Sequence, residues 1–221
     1  LSGGGAGRIM LVLIKGAGDL ATGTAVRLYR AGIKVVMTEV AQPTAVRRTV
    51  AFSQCMYDGA AQVEGISARR AEDAGAARRA LERGEVPVLC DPEAAILREL
   101  PFDGVVDAIL AKRNLGTAIT DAPVVLALGP GFTAGVDCHG VVETMRGHDL
   151  GRLLTRGSAV PNTGVPGDVG GYTTQRIIRA PADGVFEPLA AIGQRVEEGQ
   201  PVARVAGRTA CAQLTGVVRG M

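Results

Sequence analysis

Apolar and polar positions give the chain two textures. Up to about residue 134, short unbroken apolar runs alternate with stretches whose apolar residues recur at helical spacing. Residues 9–14 form one such run ending on a glycine turn, the mark of a parallel strand buried on both faces. Residues 19–31 follow with Ala21, Ala25 and Leu28 on one helical face, and Gly32 stops the helix. Residues 34–39 predict a second strand, which completes a β-α-β unit of about 30 residues. Tyr57-Asp58-Gly59-Ala60 predicts a hairpin turn. An alanine-rich helix is expected over 73–83, closed by Gly84, then a strand over 86–90. Asp91-Pro92-Glu93 joins a capping side chain, a proline at the first helical position and an acid in the first turn, so a helix is expected to about Leu100. Residues 104–111 and 124–128 predict two more strands. Alternation of this kind implies an α/β class with a Rossmann-like, doubly wound parallel sheet over 9–134.

Beyond that point the pattern loosens. Residues 135–176, rich in Gly and Pro over 157–171, are expected to be a linker and connecting region. Residues 177–221 break into short strands and turns, a small β-rich module. The stretch 1–8, Gly-rich and without the apolar region of a signal peptide, is expected to be a flexible leader or an appended remnant.

Composition narrows the function classes. The 221 residues carry 24 Lys+Arg against 22 Asp+Glu, a net charge of +2, so nucleic acid and anionic membranes are not expected partners. No apolar run approaches the roughly 18–20 residues of a membrane span. Four separated cysteines without a Cys-x-x-Cys pair point to reduced thiols and a cytoplasmic location. With 3% aromatics and no Trp, the core has to be aliphatic.

The candidate chemistry centres on Gly16-x-Gly18-x-x-Ala21, between the first strand and the first helix. Gly16 permits a tight turn, and Gly18 lets a phosphate approach the backbone where the helix N-terminus presents free N–H groups. Thr22 is placed to donate a hydroxyl, with Gly23 beside it. Glu39 ends the second strand about 20 residues after Gly18, where an acid would grip a ribose diol. A tight turn without a ligand fits the same residues. Asp19 would repel a pyrophosphate unless it caps the helix or meets a cation. Later loops add Arg47, Lys112-Arg113-Asn114 and a Gly129-Pro130-Gly131 turn, which fit an anionic group and equally fit solvated surface turns. No metal site is expected, because Cys138-His139 offers too few ligands. Cys90, at the end of a strand, is the one candidate for a sulfur- or selenium-carrying thiol, and a small buried cysteine is the commoner case.

Ala180-Pro181-x-x-Gly184-x-Phe186, with Ile192-Gly193-x-x-Val196-x-x-Gly199-Gln200 and Gly216-Val217-Val218, resembles biotinyl/lipoyl-like barrel-sandwich hairpins. No lysine follows Lys112, so a covalent swinging arm is excluded from this segment.

Several longer motifs together resemble one family: Gly16-Ala17-Gly18-Asp19-Leu20-Ala21-Thr22-Gly23, Ala111-Lys112-Arg113-Asn114, Gly129-Pro130-Gly131-Phe132-Thr133-Ala134-Gly135, Glu143-Thr144-Met145-Arg146-Gly147-His148, and Asn162-Thr163-Gly164-Val165-Pro166-Gly167. The chain resembles the YqeB-type accessory proteins of selenium-dependent molybdenum hydroxylases, related in concept to XdhC-type molybdenum cofactor chaperones. The resemblance implies a cytoplasmic maturation factor for a molybdenum hydroxylase of the xanthine dehydrogenase class. It would bind the molybdenum cofactor, a molybdopterin dinucleotide, or another nucleotide, and assist its insertion, selenation or sulfuration. It also implies a chain continuing past Met221. An NAD(P)-dependent oxidoreductase and a non-catalytic adaptor docking on the hydroxylase are the alternatives, and a homo-oligomer is left open.

Overall fold

The structure is a computed structural model and describes residues 9–221. The expected leader at 1–8 lies outside them. The chain divides into two compact units, Leu1–Pro161 and Asn162–Met221.

The first unit is built on one nine-stranded sheet. Its strands are β1 (Leu11–Lys15), β2 (Lys34–Glu39), β3 (Ala60–Val63), β4 (Ile66–Ala71), β5 (Val86–Cys90), β6 (Gly104–Asp107), β7 (Val124–Leu128), β8 (Gly140–Val142) and β9 (Leu153–Leu154). Their spatial order is β3-β4-β5-β2-β1-β6-β7-β8-β9. The seven inner strands pair in parallel, while β3 and β9 run antiparallel at the two edges. The helices are few: α1 (Asp19–Arg30), the single turn α2 (Cys55–Asp58) and α3 (Ala74–Glu82). The unit is therefore a mixed α/β structure with a large, mostly parallel sheet.

Both faces of the sheet are covered, which is why the central strands read as continuous apolar runs. One face packs Val12, Ile14, Val35 and Met37 against Ala21, Ala25 and Val26 of α1 and against Phe52, Cys55 and Met56. The other packs Leu13, Val36, Leu89 and Val105 against Ala74 and Ala77 of α3 and against Ile96, Leu100 and Phe132. Alanines on both helices bring the helix backbones close to the sheet. Each fully buried aliphatic side chain contributes about 1.5–3 kcal/mol.

Several local expectations differ from the structure. Tyr57 and Asp58 end the helical turn α2, which Gly59 closes at φ +76°. The hairpin turn lies later, at Glu64-Gly65, where φ values of +50° and +79° suit a two-residue loop between Val63 and its partner Ile66. Asp91 does cap, accepting the N–H groups of Ala95 and Ile96 at 2.9 Å each, but Ala94 at φ +53° interrupts the backbone and only a 3-10 turn, Ala95–Arg98, forms. The strand expected over 104–111 ends at Asp107, whose carboxylate turns back to the Ile109 N–H at 3.2 Å. The segment 135–176, expected as a linker, also supplies β8 and β9 to the sheet.

The second unit holds β10 (Phe186–Pro188), β11 (Arg195–Val196), β12 (Pro201–Val205), β13 (Arg208–Cys211) and β14 (Gly216–Val217). They form a three-stranded sheet, β10-β12-β13, and a two-stranded one, β11-β14. Ala190, Val196, Val202 and Ala212 form its small core. No closed barrel is present among the described residues.

Candidate functional site

The glycine loop crosses the carboxyl end of β1. Gly16 sits at φ +91°, and its N–H donates to the Thr38 carbonyl at 2.8 Å. A Cβ there would lie 3.0 Å from the Ala108 carbonyl oxygen and 3.1 Å from the Ile109 backbone. Gly18 is the N-cap of α1 with extended backbone, φ −63° and ψ −179°, and no side chain caps the helix. A Cβ on Gly18 would meet nothing within 4 Å. The first turn of α1 thus opens its N–H groups onto unfilled space, where a helix end is receptive to an anion. Asp19 is answered by an ion pair with Arg47, which offsets part of the repulsion that its carboxylate would offer there.

Glu39 meets the loop directly. Its Oε2 accepts the Ala17 N–H and its Oε1 accepts the Val40 N–H, both at 2.9 Å. The acid at the end of β2 therefore holds the glycine loop in shape. Thr22 is buried: its hydroxyl donates to the Ala17 carbonyl at 3.2 Å and accepts the Phe52 N–H at 2.8 Å. That hydroxyl braces the loop from beneath. Gly23 lies on the exposed side of α1. Cys90, the exposed last residue of β5, is the strand partner of Glu39.

A second cluster forms beyond β6 and β7. Gly131, at φ +110°, is pressed so closely on Arg113 that a Cβ would lie 2.6 Å from its backbone, and a Cβ on Gly129 would lie 2.6 Å from the Thr144 hydroxyl. These glycines let three loops meet. Lys112 and Arg113 are exposed on this surface. Asn114 folds its own turn: Oδ1 accepts the N–H groups of Gly116 and Thr117, and Nδ2 donates to the Thr117 carbonyl at 2.8 Å. The structure thus brings Gly16, Gly18, Asp19, Glu39 and Arg47 together. Lys112, Arg113, Asn114, Gly129 and Gly131 form the second group, joined to the first where Gly16 packs on Ala108.

Two buried polar features were not among the candidate site residues read from the sequence. Lys15, Thr117 and Asp107 are all buried, and Thr117 Oγ1 accepts from Lys15 Nζ and donates to Asp107 Oδ2, both at 2.6 Å. The one signal was a lysine closing an otherwise apolar run. Glu143, buried after β8, accepts three backbone N–H groups, from Thr144, Met145 and Val160, at 2.7–2.8 Å. Burial pushes its carboxyl up, but the N–H bonds from Val160, Met145 and Thr144 outweigh burial and hold it below the ordinary carboxylate range.

Burial pushes the Cys55 thiol up to about 12 and raises that of Cys138 as well. No group of three His, Cys, Asp or Glu side chains among the described residues is arranged to hold a metal ion. No helix among them is long and apolar enough to cross a membrane.

No family model matches the chain, and no solved structure matches it. It is 53% identical over 211 residues, 96% of its length, to a protein of Escherichia coli (strain K12) called Uncharacterized protein YqeB. The chain spans 39% of that protein's length. The similarity supports the YqeB family name for this stretch of sequence, and the relative's name carries no activity.

Proposed function

We propose that the chain acts as an accessory protein in the maturation of selenium-dependent molybdenum hydroxylases, receiving a molybdopterin dinucleotide, or its nucleotide part, on a Rossmann-like first unit. The pathway rests on the family motifs. The ligand class rests chiefly on one observation, the N-terminus of α1 with no side-chain cap, where a Cβ on Gly18 would meet no more distant part of the chain within 4 Å. The residues fit a phosphate-bearing group: the first helical turn offers its N–H groups, Arg47 pairs with Asp19, and Lys112 and Arg113 supply positive charge in the loop leaving the carboxyl end of β6, the strand beside β1. The molybdenum centre is cargo in this reading, and no metal ligand from this chain is needed. Both Glu39 oxygens already hold backbone N–H groups, so the ribose of any bound nucleotide, NAD(P) included, would have to share them.

Native mass spectrometry on protein from a molybdate- and selenite-fed culture tests the proposal. A bound mass matching a molybdopterin dinucleotide is expected. Gly18→Val should lose it while far-ultraviolet circular dichroism is unchanged. A bound NAD(P) mass, or an empty chain from the fed culture, refutes the cofactor assignment.

A further inference from the structure

Ser53 lies in a short 3-10 turn, Phe52–Gln54, between β2 and α2. Two bonds fasten that turn beneath the glycine loop. The Phe52 N–H donates to the Thr22 hydroxyl and the Ser53 N–H donates to the Ala17 carbonyl, both at 2.8 Å. The Ala17 carbonyl belongs to the peptide that ends in the Gly18 N–H, so the Ser53 backbone is one hydrogen bond away from the N-cap of α1.

Ser53 is only 2% exposed, yet its hydroxyl has no hydrogen-bond partner among the described residues. Thr22, buried beside it, bonds in both directions. Folded proteins leave few buried polar groups unfilled, and each costs stability unless something outside the chain satisfies it. The hydroxyl is also not sealed. Among the described residues, the one fully enclosed side-chain N or O atom without a partner is Gln54 Oε1, so the Ser53 oxygen keeps an opening. Ala17, Thr22 and Phe52 around it are buried, whereas Gly18, Asp19, Glu39 and Arg47 are half-buried. These four are the residues that border the start of α1. A serine O–H bonds most strongly to an anionic oxygen, and the free N–H groups of the first helical turn favour the same kind of group.

We propose that the Ser53 hydroxyl opens onto the space before α1 and donates to a phosphate oxygen of the bound ligand, which makes Ser53 a further binding residue of the candidate site. The ligand rests on the reading under Proposed function; the unfilled hydroxyl stands without it.

Ser53→Ala removes the hydroxyl and breaks no bond within the protein. An unfilled hydroxyl adds nothing to the fold, so the urea midpoint of the full chain should hold or rise. Thr22→Val, which strips the Phe52 N–H of its acceptor, should lower it and calibrates what a structural hydroxyl is worth here. Calorimetry with inorganic pyrophosphate then reads the ligand. The wild type should bind, and Ser53→Ala should bind at least about tenfold more weakly, the loss expected for one hydrogen bond to a charged oxygen. A midpoint lowered by Ser53→Ala makes the hydroxyl structural and overturns the proposal. Equal affinities of Ser53→Ala and wild type also overturn it, with water as the group on Ser53, and leave the ligand site standing. Absence of binding by the wild type overturns the reading under Proposed function and this assignment of Ser53 with it.

Discussion

Replacing Gly16 by alanine places a methyl group against three backbone atoms at 3.0–3.1 Å, on a residue held at φ +91°. A left-handed backbone costs a non-glycine residue roughly 1–2 kcal/mol. Overfilling a packed position costs about 1–3 kcal/mol more. The smaller entropy of the unfolded alanine chain returns about 0.4–1 kcal/mol. The first unit should therefore lose about 2–4 kcal/mol. Gly18→Ala, two residues on, is a matched control: φ is −63° and the methyl meets nothing within 4 Å. Its poorer N-cap preference, about 0.5–1 kcal/mol, is offset by the same entropy gain. Urea unfolding followed by circular dichroism at 222 nm measures both. All three α-helices described belong to the first unit, so the helical signal reports on it. With a slope of about 2–3 kcal/mol per molar urea, Gly16→Ala should lower the midpoint by about 1 M and Gly18→Ala should barely move it. Equal midpoints for the two variants would refute the close approach of Gly16 to the loop after β6.

Glu143 gives a pH signature. Its folded pKa lies below that of an unfolded glutamate, about 4.3, so its contribution is complete above that value and is lost as pH falls through the folded pKa. Glu143→Gln should lower the urea midpoint at neutral pH, and the gap to wild type should close in acid; a gap independent of pH refutes this account. The cysteines should separate by environment under iodoacetamide at pH 8. Cys90 and Cys211, both exposed, label in the native protein, whereas buried Cys55 and Cys138 label only after unfolding. Native labelling of Cys55 would contradict its burial.

The first β-α-β unit was legible because its signals are local: apolar runs bounded by glycine, and a helix whose small residues recur at one spacing. The hairpin was misplaced because Asp58-Gly59 and Glu64-Gly65 both carry turn chemistry, and only the register of β3 on β4 decides between them. The helix expected after Asp91 had a sound cap and failed at Ala94, a residue with no sequence signal for a left-handed conformation. In the site, the glycine loop was readable. The role of Glu39 was not, since nothing local says that a strand-end acid will turn onto Ala17 instead of toward solvent. Lys15 was still harder to read, because its partner Thr117 lies 102 residues away in sequence. Asp107 reads as the middle of a strand until its loop is seen to bend.

The position of β1 has a consequence during synthesis. One edge of β1 finds β2 as soon as the first β-α-β unit has emerged, but its other edge pairs with β6. The Leu11 N–H bonds to the Asp103 carboxylate, 92 residues later. At about 5–20 residues per second, this apolar strand waits roughly 5–20 s with one side open. Over that interval the nascent chain offers a ready template for mispairing, and a fragment ending before residue 104 would offer it permanently. The centre of the sheet is thus sealed only once β6 has been made, although it is among the first parts to emerge.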